Sequence, residues 1–188
     1  MNFKQLETDI LSELKKRVAS KRLGHIISVS KTAEKLALHF NLDSQRHKIL
    51  GLLHDLCKED DNQSQKELLQ VKFPKDQTLL ANSALYHAKT SFFKSQELFG
   101  LTADYLSPIL WHTTGKAQMS VDDKILYVAD YIEPLRTWHD KTFMKQAIES
   151  IDALILKILS HKIKYTIDSG KQVHPDSIHC YNFMIAGQ

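Results

Sequence analysis

The chain has 188 residues, 43% of them hydrophobic, and 25 basic against 22 acidic side chains give it a formal charge of +3. That length supports one domain with its own core and no disulfide staples, and so mild and dispersed a charge excludes a dedicated nucleic-acid-binding stripe, though not a local anion pocket. No stretch approaches the ~20 apolar residues of a membrane span, and the start, "MNFKQLETDILSELKKRV", lacks the apolar centre of a signal peptide.

Apolar residues recur at helical spacing almost throughout, and alternating strand patterns are nearly absent. Ile10, Leu11, Leu14 and Val18 mark a first helix. Ser20 reads as the N-cap of a second, striped by Ile26, Val29, Ala33, Leu36 and Ala37. Asp43 caps a third that is expected to end near Cys57, where "KEDDNQSQ" breaks the pattern. A short helix around Glu67–Val71 stops before Pro74, and another runs from Ala84 to Phe99, closed by Gly100. Thr102 caps "ADYLSPILWH", which Pro108 should kink because proline lacks the N–H and crowds the previous turn. Ser120 and Asp123 stand at capping-box spacing ahead of "KILYVADYIE", which stops at Pro134. One long helix is expected over 145–167, ended by Gly170, and the turn "HPDS" leads into a last short helix.

The fold class is therefore all-α. A single domain over 1–188 is expected, with a helical lead-in at 1–19 and the C-terminal turn and helix, 171–188, folding back toward the site. Cys57 and Cys180 are too few and too isolated for a disulfide framework, so the expected compartment is the reducing cytoplasm.

Ten histidines invite over-reading. His39, His47, His161 and His179 lie in polar or amphipathic settings and read as surface residues. His139–Asp140 follows the polar "RTWHD" and reads as a loop or cap. His54–Asp55 is different: Leu50, Leu52 and Leu53 precede it, so an ionisable pair sits where the helix enters the core. A buried unpaired carboxylate is costly. A divalent cation removes the cost, since it stabilises the carboxylate and accepts a neutral imidazole. Asp130, in "ILYVADYIEP", and His25, in "KRLGHIISVS", repeat that context on other helices. His25, His54, Asp55 and Asp130 thus form a candidate mixed N/O ligand set for a first-row divalent metal. Adjacent helical residues diverge by roughly 100°, so His54 and Asp55 share one ion only if it lies between their directions. His87 and His112 keep three roles open: core-edge histidines, ligands of a second metal, or donors to a phosphate.

The order His25, His54-Asp55, His87, His112, Asp130 resembles the HD-domain superfamily of metal-dependent phosphohydrolases, an all-helical bundle holding a divalent metal through H…HD…D. "WHTTGKAQMSVDDKILYVADYIEPLR" (111–136), with Trp111 in place of the subgroup's tyrosine, together with "RLGH", "GLLHDLCK" and "VHPDSIHCYN", is similar to the YqeK subgroup, the symmetrical diadenosine tetraphosphate hydrolases. Lys116 stands where that subgroup often has arginine, Gln118 where it has glycine, and Tyr181 where an arginine commonly precedes Asn182.

The resemblance implies symmetrical cleavage of diadenosine tetraphosphate to two ADP, with iron as the metal and manganese or cobalt also suited to the site. It implies catalytic roles for Asp55, Lys58, His87 and His112. Spacing adds Arg22, three residues before His25, Lys58, three after Asp55, and Arg136 beyond Asp130. Three cations converging on a metal suggest a polyphosphate. Thr113 offers a hydroxyl and an N–H to the same oxygens, and the turn at Val173, His174, Pro175, Asp176, Ser177 and Ile178 offers free N–H groups to a nucleotide. Two other readings stay open: an HD nucleotidase or deoxynucleoside triphosphatase, and a nucleotide-binding sensor without turnover. No nucleic-acid or membrane partner is expected, and a homodimer is left open.

Overall fold

Every regular element among the described residues, 2–138 and 140–187 of a computed structural model, is a helix. In chain order they are α1 (Phe3–Arg17), α2 (Ser20–His39), α3 (Ser44–Leu53), α4 (Asn62–Lys72), the single-turn α5 (Gln77–Leu80) and a 3-10 turn (Ser83–Leu85). There follow α6 (Tyr86–Phe99), α7 (Ala103–Trp111), α8 (Val121–Ile132), α9 (Phe143–Glu149), α10 (Ile151–Asp168) and α11 (Pro175–Ala186).

The core is built where α2, α3 and α8 meet. Ile26, Val29, Ala33 and Leu36 from α2, Leu50 and Leu53 from α3, and Ile125, Leu126 and Val128 from α8 are fully buried. Gly51 permits the close approach of α2 and α3: a Cβ there would sit 2.5 Å from the Ser30 Cα. Ser30 Oγ also donates to Lys48 O at 2.8 Å. Short polar side chains start the helices by accepting orphan N–H groups. Asp43 accepts from Arg46 N, Thr102 from Tyr105 N, and Ser120 and Asp123 close a reciprocal capping box. Lys116, where the resemblance would have arginine, still pairs with the buried Asp123 at 2.9 Å.

Several expected boundaries move. Ser20 is the first residue of α2 and Ala19 its cap, because the Glu59 carboxylate accepts the Ala19 N–H at 2.7 Å. Helix α3 ends at Leu53, and 54–59 form a turn. Helix α4 is longer than expected, starting behind Asp61. The expected helix over 145–167 is two, α9 and α10, divided at Ser150, which is extended and accepts from Ala153 N at 3.3 Å. His47 is not a surface residue. It is 1% exposed, and its Nδ1 donates to Asp43 O at 2.8 Å. His139 lies outside the described residues, while Asp140 accepts from Thr142 N and Oγ1 in the turn before α9. No helix among the described residues is long and apolar enough to cross a membrane.

The C-terminal segment lies against the bundle. Helix α11 packs along α10, Ser177 Oγ donates to Thr114 O at 2.9 Å, and Cys180 seats against Met119 and Gly115. Gly115 has φ +70, a left-handed conformation that favours glycine.

Candidate active site

His54 is the residue at which α3 ends, and the end of the helix fixes its ring. Its Nδ1 donates to Gly51 O at 2.7 Å; a carbonyl only accepts, so Nδ1 carries the proton and Nε2 a bare lone pair. That Nε2 is buried, the residue is 0% exposed, and the atom has no hydrogen-bond partner among the described residues. His112 repeats the device at the end of α7, its Nδ1 donating to Ile109 O at 2.8 Å. His25, on α2, has Nδ1 3.0 Å from Glu133 Oε1 and Nε2 3.3 Å from Asp130 Oδ1. Three imidazoles from three helices therefore turn Nε2 inward, each oriented from behind through Nδ1.

Asp55 lies among them, 3% exposed. Its Oδ2 is 2.9 Å from Arg22 Nη1, 3.6 Å from His25 Nε2 and 3.7 Å from His54 Nε2. Its Oδ1 faces the other way, 3.1 Å from His87 Nε2 and 3.9 Å from His112 Nε2. Asp130 Oδ1 is 3.8 Å from His54 Nε2 and tightly bonded to Arg136. Two sets of donor atoms each gather within 4.8 Å: His25, His54 and Asp130, and His54, Asp55 and His112. Burial lowers the pKa of His54 and His87 and takes His112 well below the usual range. Burial alone would raise Asp55, but the facing His54 and His87 outweigh it and hold the carboxyl well below normal. Asp130 is likewise held down, burial being outweighed by His25 and Arg136. Burial would lower His25 too, but Asp130 outweighs it and raises that pKa. Neutral His54 and His112 facing ionised carboxylates are what a divalent cation needs, and the orphaned Nε2 of His54 supplies an unspent ligand. The donor set fits a metal.

His87 is oriented differently. Lys58 Nζ lies 3.1 Å from its Nδ1, and an ammonium only donates, so the ring's proton is on Nε2. That N–H faces Asp55 Oδ1 and, at 3.2 Å, the lone pair of His112 Nε2. A cation beside Asp55 Oδ1 requires His87 to give up that proton.

Above these groups opens a cavity of about 750 Å³. Of the residues singled out from sequence, Arg22, Asp55, Lys58, His87, Thr113, Asp130, Arg136, Val173, His174 and Ser177 line it. His25, His54 and His112 are buried beneath it. His174 caps α11, and its Nε2 is 3.1 Å from Asp76. Three members of the expected nucleotide turn do not line the cavity. Pro175 opens α11, Asp176 turns its N–H back to His174 Nδ1, and Ile178 borders a second hollow with Tyr181 and Asn182. The reason is helical: once α11 starts, successive side chains rotate away from the mouth. The Tyr181 departure thus sits at that second hollow.

Sequence reading missed two polar neighbours of the site. Glu133 is 1% exposed and holds both His25 and the Leu135 N–H, at 2.7 Å. Lys162, on α10, donates to Thr113 O at 3.0 Å, lines the cavity, and is pushed down to about 8 by burial. The "IEP" of α8 signalled a helix end, but only the packing of α2 on α8 brings Glu133 to His25. Nothing in the amphipathic pattern of α10 distinguished Lys162.

Known proteins are similar to this chain. Residues 22–135, more than half of the chain, match the HD domain family. A symmetrical bis(5'-nucleosyl)-tetraphosphatase of Halalkalibacterium halodurans is 29% identical over 180 residues, 95% of this chain and 96% of that one. Its counterpart in Staphylococcus aureus is 30% identical, with 90% of this chain and 89% of that one covered. The crystal structure of a predicted HD superfamily hydrolase involved in NAD metabolism from Clostridium acetobutylicum aligns with a TM-score of 0.89 at 30% identity, covering 97% of this chain and 98% of that one. On the family match and the histidine and aspartate cluster together, the chain belongs to the HD domain family.

Proposed function

We infer that this protein is a metal-dependent hydrolase that cleaves diadenosine tetraphosphate symmetrically into two ADP. The observation that carries the reading is Asp55, whose two carboxylate oxygens face two groups of inward-turned imidazoles at the base of a cation-lined cavity. The two relatives named above carry the same activity in their names.

His25, His54, Asp55 and Asp130 would hold the ion, and His112 with a deprotonated His87 would complete a second position beside Asp55 Oδ1. A bound divalent ion supplies Lewis acidity and a nucleophilic water at neutral pH. The remaining work falls to the chain. Arg22, Lys58, Arg136 and Lys162 line the cavity as cations and neutralise charge developing on the phosphoryl oxygens and on the departing ADP. Arg22 and Arg136 also pair with the two aspartates, so each guanidinium bridges ligand and substrate. Lys58 stands at His87 Nδ1 and lines the cavity beside the reacting phosphates. Thr113 and the turn at His174–Ser177 close the mouth over the nucleotide. Iron is the proposed metal, with manganese and cobalt compatible with the same N/O donors. We place the enzyme in the cytoplasm, where the free, buried Cys57 and Cys180 stay reduced.

The test is metal analysis alongside product analysis. Asp55→Ala and Asp130→Ala should lose both metal and hydrolysis, whereas Lys58→Ala should keep the metal and lose about 100-fold or more in kcat/KM. Two ADP as the sole products identify the symmetrical cut; AMP with ATP, or turnover only of mononucleotides, overturns it. A metal-free Asp130→Ala protein with full activity would remove the mechanism altogether.

A further inference from the structure

A central cut through a dinucleoside polyphosphate leaves two equal halves, so a nucleoside extends on each side of the reacting phosphates. The turn before α11 serves one side. It docks on segments next to His87 and His112: His174 on Asp76, ahead of α6, and Ser177 on Thr114, just past His112. The same cavity carries aromatic rings, beginning beside Asp130, that the chemistry above does not use.

Tyr131 directly follows Asp130, and its hydroxyl is 2.9 Å from His161 Nδ1. Trp138 donates from Nε1 to Tyr131 O at 3.2 Å, with the two ring centroids 5.9 Å apart. The Arg136 guanidinium, itself bonded to Asp130, lies 5.1 Å from the centroid of the Trp138 ring. Tyr131, Trp138, His161 and Tyr165 all line the cavity that also holds Arg22 and Lys58. Packing explains only part of this wall. Tyr131 rests on Phe143, 5.9 Å between centroids, as a core-edge ring would. Trp138 and Tyr165 remain 47% and 66% exposed, and Trp138 is nonetheless held in place by its indole hydrogen bond and by Arg136. A large ring such as Trp138, fixed in position and left open to a cavity, is suited to a flat apolar ligand. The Arg136 guanidinium beside the wall also lines the cavity, which suits a ligand joined to an anion.

We propose that Tyr131, Trp138, His161 and Tyr165 form a stacking subsite for the second nucleobase of the dinucleotide. The subsite rests on the dinucleotide reading above. Stacking on a π-face tolerates base identity, so this end accepts guanine as well as adenine.

The experiment counts ADP on the metal-loaded protein by isothermal titration. The wild type should bind two ADP per chain, while Trp138→Ala and Tyr165→Ala should bind one, with Trp138→Phe restoring the second. In parallel, the preference in kcat/KM for diadenosine tetraphosphate over adenosine tetraphosphate, which has one nucleoside, should fall about 10- to 100-fold in Trp138→Ala. One ADP per wild-type chain, two on every variant, or equal losses on both substrates overturns the subsite. A wild type that binds two ADP yet does not hydrolyse the dinucleotide overturns the functional reading and leaves the subsite standing.

Discussion

The Nδ1 atoms of His25, His54 and His112 decide what their Nε2 atoms can do. Two are tied to backbone carbonyls one turn back, which makes the geometry of these proposed ligands a by-product of helix ends. The third depends on a side chain, Glu133, that is buried and carries no alternative task beyond the Leu135 N–H and a 3.7 Å approach to Arg136. Groups standing behind a metal-ligating histidine are typically worth 10- to 100-fold in metal affinity. Glu133→Gln should therefore weaken retention of the metal against a competing chelator by about that factor, with a melting curve to show that the fold survives. Unaltered retention would confine Glu133 to a structural role. The sequence made His54–Asp55 legible because ionisable residues directly after an apolar run are chemically out of place. Glu133 had no such signal, since an acid before a proline at a helix end is ordinary.

At the scale of elements, the site depends on how close α2 comes to α3, since these helices carry His25 and lead into His54. Gly51 sets that distance. An added Cβ would meet Ser30 Cα at 2.5 Å and Ser30 N at 2.9 Å, backbone atoms that cannot swing aside. Gly51→Ala should therefore separate the helices and cost about 3 kcal/mol, read as a fall in melting temperature of roughly 6–12 °C for a domain of this size. A melting temperature within a degree of wild type would mean that the pair has slack. Helix existence was legible from periodicity, but the break at Ser150 was not. Ile148 and Ile151 keep the apolar rhythm across it, and a serine reads equally as a solvent-facing helical residue or as a cap. Only the extended backbone at Ser150 chooses the second.

For the whole molecule, α3 and α8 must stay together, because one leads into His54–Asp55 and the other carries Asp130. Asp122 on α8 fastens them. His47 first, and then Arg46, hold its carboxyl down from the usual 3.8 to about 2. A depressed carboxylate stabilises the fold above its unfolded pKa and loses that contribution as pH falls through its folded pKa. The stabilisation, about 2 kcal/mol at most by 1.36 kcal/mol per pKa unit, should thus be complete above about pH 5 and lost between about pH 4 and pH 2. Asp122→Asn should unfold at lower urea than wild type at pH 7, and the two should converge near pH 2. A constant difference across that range would assign the effect to packing.

Composition and periodicity by themselves determined that this chain is all-helical, that an apolar stripe runs along its second helix, and that His25, His54, Asp55 and Asp130 stand at core boundaries. Those properties are local: a helix forms, and exposes one face, according to residues within a few turns. Which carboxylate oxygen meets which imidazole, that His47 is buried and Glu133 recruited, and that the turn before α11 and the rings around Trp138 border one cavity were decided only by tertiary packing. Each brings together segments dozens of residues apart, and no local pattern encodes that distance.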